Sequence, residues 1–254
     1  MKKNLLKEQL KQNQLTIGSW ITLSDGNTME IMASSGFDWL AVDMEHSAIT
    51  FGQAQELIRI AELCGTIPLV RVGANDPLII KRVMDAGAYG VIVPMVNSKA
   101  DAIRAVESVY YPMKGKRGVG LARAQKFGMD FEAYKQWLKD NAVVIVQIEH
   151  VDAVKHLEEI LSVEGVDGSI IGPYDLSASM GFPGEFHRDE VKQAEARYLE
   201  VCRKLNKTAG AHSVPPDVNL LKQKQQQGFT FLGFSLDSYF LATMVADQLK
   251  QIKK

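Results

Sequence analysis

The feature that most constrains the fold of this chain is a repeated alternation of short apolar runs and segments with helical spacing. The clearest unit contains the runs Val143–Ile148 and Gly168–Ile171, which flank the segment AVKHLEEIL, whose apolar residues recur at helical spacing. Roughly four to eight apolar, often β-branched residues between turn-forming residues are typical of buried parallel strands. Two strands joined through a helix run in the same direction, so this unit predicts strand, helix and parallel strand.

The same alternation occurs eight times along the chain. We predict strands at residues 16–21, 37–42, 67–70, 89–93, 143–148, 168–171, 208–211 and 229–234, each followed by a helix. Cap signals support the helices, since Thr50 with Gln53 forms a capping box and Asp76 precedes Pro77. With 254 residues and no Pro/Gly/Ser-rich linker, the chain predicts an α/β fold: a single (β/α)8 TIM barrel over residues 1–254, with an N-terminal helix and an insertion, residues 111–141, before strand five.

Composition narrows the class of partner. Lys+Arg 29 against Asp+Glu 30 leaves a net charge of −1, which does not favour nucleic acid or a membrane surface as a partner. Charges interrupt the first fifteen residues, which therefore predict an amphipathic helix rather than a signal peptide, and no run has the length of a membrane span. Cys64 and Cys202 lack metal-type spacing, so we interpret them as buried reduced thiols of a cytoplasmic protein.

Two carboxylates follow neighbouring strands. Glu149 comes directly after strand five, and Asp175 follows strand six, just past Gly172 and Pro173. Parallel α/β barrels carry their chemistry where the carboxyl ends of the strands meet. Two acids without a Cys or His cluster suit Mg²⁺ or Mn²⁺, with water and substrate completing the coordination, and Gln147 shares a strand face with Glu149. The alternative is that the two acids only cap the helices that follow them.

A histidine and an aspartate close strand two. Asp43 precedes His46 by three residues, so its carboxylate could accept the imidazole N–H and orient the other ring nitrogen for proton transfer. The alternative is a surface histidine without a role.

Strand three ends in a cation. Arg71 could hold a substrate carbonyl or carboxylate or stabilise an enolate, and its alternative is a structural salt bridge to Glu45 or Asp43. Trp20, at the end of strand one, is most simply a wall of the pocket. Two other side chains near strand ends are interpreted as a satisfied rim histidine and a helix cap: His212 and Asp237.

The residues that are missing restrict the chemistry. No lysine stands at the carboxyl end of a predicted strand, so a Schiff-base mechanism lacks its nucleophile. The chain also has no GxGxxG phosphate loop before a helix and no Ser or Cys on a strand–helix elbow beside a base. A divalent metal, a base and an arginine around one pocket fit the making or breaking of a carbon–carbon bond through a metal-bound enolate.

Several segments carry a family resemblance. From about Gly18 to Asp237 the chain contains, in order, GSWITLSD, DMEH, PLVRVG, DAGAYGVIVPMVNS, YYPMKGKRGVG, QIEHVDAV and VDGSIIGPYDLSASMG. These motifs resemble the HpcH/HpaI family of metal-dependent (class II) pyruvate aldolases, which includes 4-hydroxy-2-oxoheptanedioate aldolase and 2-dehydro-3-deoxyglucarate aldolase.

The resemblance implies a lyase that reversibly cleaves a 4-hydroxy-2-oxo acid to pyruvate and an aldehyde, with Mg²⁺, Mn²⁺ or Co²⁺. It also implies a homo-oligomer, a hexamer or trimer, whose last helix is exchanged between subunits. The implied roles are metal ligation by Glu149 and Asp175, base catalysis by His46 with Asp43, binding of the keto oxygen by Arg71, and substrate contacts from Gln147, Trp20, Gly172 and Pro173. Two alternatives remain at this point: a decarboxylase or Claisen-type lyase on the same metal, and a non-catalytic barrel that binds keto acids.

Overall fold

The computed structural model describes residues 1–253, in which eight parallel strands close into a barrel in chain order. The strands are Thr16–Ile21 (β1), Trp39–Asp43 (β2), Ile67–Arg71 (β3), Gly90–Val93 (β4), Val143–Ile148 (β5), Gly168–Ile171 (β6), Thr208–Ser213 (β7) and Phe231–Leu236 (β8). The α-helices are Leu5–Lys11 (α1), Gly26–Ala33 (α2), Phe51–Cys64 (α3), Pro77–Asp85 (α4), Lys99–Val109 (α5), Phe131–Asn141 (α6), Val151–Lys155 (α7), Leu157–Leu161 (α8), Pro173–Ser179 (α9), Asp189–Lys204 (α10), Val218–Gln227 (α11) and Asp237–Ile252 (α12). The predicted (β/α)8 barrel is confirmed.

Local signals explain where the elements begin and end. The Thr50 and Gln53 side chains form the predicted capping box of α3, and Asp76 accepts the first backbone N–H groups of α4. The predicted bounds of β5 and β6 are correct. The helix between them is instead two short helices, α7 and α8, interrupted at His156. Strands β7 and β8 continue two residues beyond their predicted ends, to Ser213 and Leu236.

The barrel interior is filled by large side chains. Trp39 stacks on Phe231 with ring centroids 4.2 Å apart. A Cβ on Gly18 would lie 2.0 Å from the Trp39 ring, so only glycine leaves room for that indole. Leu6 and Leu10 of α1 enter the same cluster, so the first helix closes the amino-terminal end of the barrel and leaves the opposite end free for a pocket.

A buried ion pair fastens α1 in that position. Lys7 Nζ lies 2.6 Å from Asp167 Oδ1, just before β6, and donates to the carbonyl of Ala142 at 2.7 Å. Burial lowers the pKa of Lys7, although the charge of Asp167 opposes this shift. A buried charge needs such partners, because removing Asp167 would leave the Lys7 ammonium group unpaired in an apolar environment.

The insertion at residues 111–141 lies at the amino-terminal end of the barrel. The guanidinium of Arg117 donates to the hydroxyls of Tyr111 and Tyr134, each at 2.9 Å, and Arg123 donates to the carbonyl of Ala86 at 3.0 Å. Ala86 directly follows α4, whose carboxyl end is on the face opposite the strand ends that carry the candidate site. Both arginines therefore support the insertion within this subunit.

Two sequence-based expectations concern the surface. Cys202 is buried as predicted, but Cys64 is exposed, because it is the last residue of α3 and points away from the core. Within residues 1–253, no helix combines the length and the apolar character needed to cross a membrane.

Candidate active site

The carboxyl ends of the strands surround a cavity of about 350 Å³. Every predicted site residue except Asp43 lines it. The lining residues are Trp20, His46, Arg71, Gln147, Glu149, Ile170, Ile171, Gly172, Pro173, Tyr174, Asp175, His212 and Val214. No lysine is among these lining residues.

Arg71 is held from behind by Asp43. Its Nε and Nη2 donate to the two carboxylate oxygens at 3.0 and 2.7 Å. Asp43 is 1% exposed, and burial opposes its ionisation, but the hydrogen bonds and charge of Arg71 outweigh burial and lower the pKa of this carboxyl. The salt bridge that the sequence left as the alternative for Arg71 is therefore present. It does not exclude a substrate role, because Nη1 remains on the cavity side, 3.5 Å from Gln147 Oε1.

The expected contact between Asp43 and the imidazole of His46 is wrong. Asp43 Oδ1 accepts the backbone N–H groups of Glu45 and His46, at 3.0 and 3.2 Å, in the turn that follows β2. This turn directs the His46 side chain into the mouth of the cavity, where it is 61% exposed and its Nε2 lies 3.7 Å from Glu45 Oε2. The carboxylate next to the imidazole thus belongs to Glu45.

The sequence suggested Glu45 only as a salt-bridge partner of Arg71, and its place beside His46 and Gln147 was not predicted. Its Oε2 lies 3.3 Å from Gln147 Nε2 and 3.4 Å from Arg71 Nε. Burial, together with repulsion from Glu149 and Asp43, raises the pKa of Glu45 to about 7, despite the opposing charge of Arg71. The available signal was its position in the DMEH turn, but its contacts depend on how that turn folds over the barrel.

Glu149 is oriented by two donors. Its Oε1 accepts the backbone N–H of Met95 at 2.7 Å, and its Oε2 accepts Gln147 Nε2 at 2.8 Å. Burial raises the pKa of Glu149, and the negative charge of Asp175 adds to the rise. Gln147 donates to two carboxylates and approaches Arg71, so it links the acidic and basic parts of the site.

Neither acid caps the helix that follows it. The ring of His150 accepts the N–H of Asp152 at the start of α7, and Gly172 is the N-cap of α9 without a side-chain bond. Asp175 is exposed in the first turn of α9. A Cβ on Gly172 would lie 3.2 Å from Glu149 Oε2, so glycine keeps the space beside that oxygen open. The helix-cap alternative is therefore wrong for both carboxylates.

This donor set fits a hard divalent cation. Glu149 is buried beside a second acid that raises its pKa, and a cation between the two would remove that repulsion. Within residues 1–253, no group of three or more His, Cys, Asp or Glu side chains is arranged to hold a metal. Two carboxylates provide too few ligands for a closed cage, so such an ion would take its remaining ligands from water and substrate.

Aromatic rings form part of the cavity wall. The Arg71 guanidinium lies 4.4 Å from the ring centroid of Trp20, and His212 meets the same indole edge-on at 5.5 Å. Pro173 and Tyr174 line the cavity from the first turn of α9. Asp237 is not among the residues that line this cavity. It accepts the N–H groups of Thr22 and Leu23, which fastens the end of β1 to the start of α12.

Comparison with known proteins shows to which family this chain is related. Residues 16–242 match the family model described as HpcH/HpaI aldolase/citrate lyase. Hydroxypyruvate/pyruvate aldolase of Sagittula stellata is 37% identical over 242 residues, covering 95% of this chain and 94% of the relative. The 2-keto-3-deoxy-L-rhamnonate aldolase of Escherichia coli K12 is 33% identical over 252 residues, covering 98% and 93%.

A solved structure agrees with these relatives. An HpcH/HpaI aldolase/citrate lyase family protein from Burkholderia cenocepacia J2315 superposes with a TM-score of 0.94 at 30% identity, covering 99% of this chain and 100% of the other. The match thus extends over the barrel and all the strand ends that form the cavity. This chain therefore belongs to the HpcH/HpaI aldolase/citrate lyase family, as its motifs predicted.

Proposed function

We propose that this chain is a divalent-metal-dependent aldolase that reversibly cleaves a 4-hydroxy-2-oxo acid into pyruvate and an aldehyde. One observation carries the proposal: two carboxylates, Glu149 and Asp175, share a cavity with an arginine and an exposed histidine. The names of the relatives, a hydroxypyruvate/pyruvate aldolase and a 2-keto-3-deoxy-L-rhamnonate aldolase, support the same reaction class.

Glu149 and Asp175 are the residues that would hold the metal. A divalent ion bound there supplies positive charge that polarises the carboxylate and keto group of a 2-oxo acid. Gln147 and the backbone of Met95 fix the Glu149 carboxylate, so its orientation does not depend on the ligand. Gly172 leaves the approach to that carboxylate open.

Arg71 binds the keto oxygen in this mechanism. Cleavage of the C3–C4 bond sends its electron pair toward C2, and negative charge develops on the keto oxygen. Asp43 engages Nε and Nη2, which leaves Nη1 to donate to that oxygen. A donor that is already oriented stabilises the developing charge without reorganisation during the reaction.

His46 takes the proton. The 4-hydroxyl must lose its proton as C3–C4 breaks, and the oxygen then forms the carbonyl of the aldehyde. His46 stands at the mouth of the cavity, where an imidazole can accept this proton directly or through water. Glu45, 3.7 Å from His46 Nε2, offers the resulting imidazolium a carboxylate partner. Protonation of the enolate at C3 then completes pyruvate.

The cavity also argues against the alternative from another class, a non-catalytic barrel that binds keto acids. Such a protein needs the carboxylates and Arg71 but gains nothing from a base at His46. We would incubate the protein with pyruvate, Mn²⁺ and a panel of aldehydes and identify the products by mass spectrometry. Metal-dependent 4-hydroxy-2-oxo acids are the expected products. A lysine adduct trapped with borohydride, or pyruvate binding without turnover of any aldehyde, would overturn the proposal.

We further propose that the protein assembles as a homo-oligomer, a hexamer or trimer, in which α12 packs on a neighbouring copy. Phe240, near the start of α12, contacts Phe234, but the rest of the helix leaves its large apolar side chains uncovered. These are Leu241, Met244, Val245, Leu249 and Ile252, which are 46 to 79% exposed. Native mass spectrometry tests this: Leu241→Arg with Met244→Arg should dissociate the assembly, and Lys250→Glu, at an exposed position on the other side of the helix, should not. A monomeric wild type would contradict the proposal.

A further inference from the structure

His212 is positioned as a fixed hydrogen-bond acceptor on the cavity wall. Its Nε2 lies 3.0 Å from the carbonyl oxygen of Ser235. A carbonyl oxygen only accepts, so Nε2 must carry the hydrogen, and a neutral ring then presents a bare lone pair at Nδ1. Burial lowers the pKa of His212 to about 4, and the nearby charge of Arg71 acts in the same direction. The ring is therefore neutral near pH 7.

The ring is locked in this orientation from three sides. Ser235 has a φ of +52°, and its carbonyl also accepts Ser19 Oγ at 3.1 Å, so the acceptor for Nε2 is itself held. Trp20 packs edge-on at 5.5 Å. A Cβ on Gly233 would lie 3.2 Å from His212 Cδ2 and 3.3 Å from Trp20 Nε1, so glycine lets both rings lie against the β8 backbone.

Nδ1 is the free end of the ring. Within residues 1–253 it has no hydrogen-bond partner, and it is not among the polar side-chain atoms that are sealed from solvent without one. His212 lines the cavity together with Arg71 and Trp20. No side chain among the described residues donates a hydrogen bond to Nδ1. A molecule that binds in the cavity can therefore supply the donor.

We propose that His212 Nδ1 accepts a hydrogen bond from a hydroxyl group of the ligand, so that the site selects hydroxylated reactants over their deoxy analogues. This rests on the proposed aldolase function, because it concerns the same cavity. The hydroxyl can come from the 2-oxo acid, as in hydroxypyruvate, or from the aldehyde, as in glycolaldehyde. Water or an amine could also donate to Nδ1, but a hydroxyl beside the reacting carbons is the donor that both reactant classes share.

The experiment compares two pairs of reactants in two arms. The first arm measures kcat/KM for hydroxypyruvate and pyruvate with one aldehyde, and the second measures glycolaldehyde and acetaldehyde with pyruvate. His212→Phe keeps an aromatic ring but removes the acceptor, and His212→Asn returns an oxygen close to the Nδ1 position. His156→Phe, at an exposed histidine outside the cavity, is the matched control.

We expect the preference for the hydroxylated reactant to fall about tenfold in His212→Phe in one arm, which identifies the source of the hydroxyl. His212→Asn should recover part of it, and His156→Phe should leave it unchanged. A preference that is the same in wild type and His212→Phe in both arms would overturn the proposal. An equal loss for hydroxylated and deoxy reactants would overturn it as well, because it would mean that His212 only shapes the wall.

A binding measurement separates this proposal from the proposed function. In protein labelled with ¹⁵N-histidine, the Nδ1 resonance of His212 should shift when the hydroxylated reactant is added and stay in place with its deoxy analogue. This readout needs no turnover, so it remains decisive if no aldol product forms or if His212→Phe does not fold. Equal shifts, or no shift, for both members of each pair would reject the hydroxyl contact.

Discussion

Asp43 and Arg71 form a two-point ion pair in which a buried carboxylate grips the Nε and Nη2 atoms of the guanidinium from behind, at 3.0 and 2.7 Å. Neighbouring strands supply the two residues, and Asp43 pairs directly with Arg71 in the β2–β3 register. The pairing of β2 with β3 therefore occupies Nε and Nη2 and leaves Nη1 of the guanidinium for a ligand.

Replacing Asp43 by Asn should impair any reaction that depends on Arg71. The amide keeps the size of the side chain but cannot accept both guanidinium hydrogens, so Arg71 loses its fixed orientation. We expect kcat/KM to fall roughly 10²-fold for aldol cleavage and for oxaloacetate decarboxylation. Steady-state assays of both reactions check this. Equal activity of Asp43→Asn and wild type would show that Arg71 does not need its partner.

His46 should be needed for removal of the 4-hydroxyl proton but not for formation of the enolate by decarboxylation. Aldol cleavage removes a proton from the 4-hydroxyl, whereas decarboxylation of oxaloacetate gives the same enolate without any hydroxyl proton to remove. His46→Ala should therefore lose aldolase activity by roughly 10²-fold or more and keep much of its decarboxylase activity. Arg71→Ala should lose both. A parallel loss of both activities in His46→Ala, with metal still bound, would contradict its role as the base.

Metal binding should raise the free energy of unfolding of the protein. A divalent ion present at about 100 times its Kd stabilises the folded chain by about 2.7 kcal/mol. Thermal melts with Mn²⁺ should therefore show a higher Tm for wild type and for Asp189→Ala, an exposed carboxylate of α10. Glu149→Ala and Asp175→Ala should show no such rise, and chelator should remove it from wild type. A Tm rise that survives in Glu149→Ala would place the ion elsewhere.

The raised pKa of Glu45 predicts a pH-dependent stability. Glu45 holds its proton to about pH 7 in the folded chain but loses it near 4.5 in the unfolded chain. The folded state binds more protons between these values, so stability falls as pH rises through this window. Glu45→Gln should raise Tm by about 2–4 °C at pH ~8 and by less at pH ~5, in protein treated with chelator. Equal gains at both pH values would mean that Glu45 is ionised throughout.

The sequence was sufficient for the barrel and for the convergence of the site, because both follow from strand order. Strands β5 and β6 are parallel neighbours, so the residues that follow them, Glu149 and Gly172, lie close together. The contacts between side chains were harder to predict from the sequence. The DMEH turn wraps its backbone N–H groups around Asp43, which turns His46 toward Glu45, and such a turn cannot be deduced from residue spacing.

His212 shows a second limit. The sequence placed His212 at the end of β7 and predicted a satisfied rim histidine, without specifying its neighbours. In the structure β7 continues to Ser213, and the pairing of His212 with Gly233 in β8 sets the ring between Trp20 and the Ser235 carbonyl. Because the predicted strand ended one residue before His212, neither its partner in β8 nor the free Nδ1 was predicted.

The docking of α1 has a consequence for how the chain matures. Lys7 finds its partners 135 and 160 positions later, at Ala142 and Asp167. During synthesis the buried pairing of Lys7 can therefore form only after the chain has grown past Asp167. A fragment that stops before Asp167 leaves Lys7 without its counter-ion.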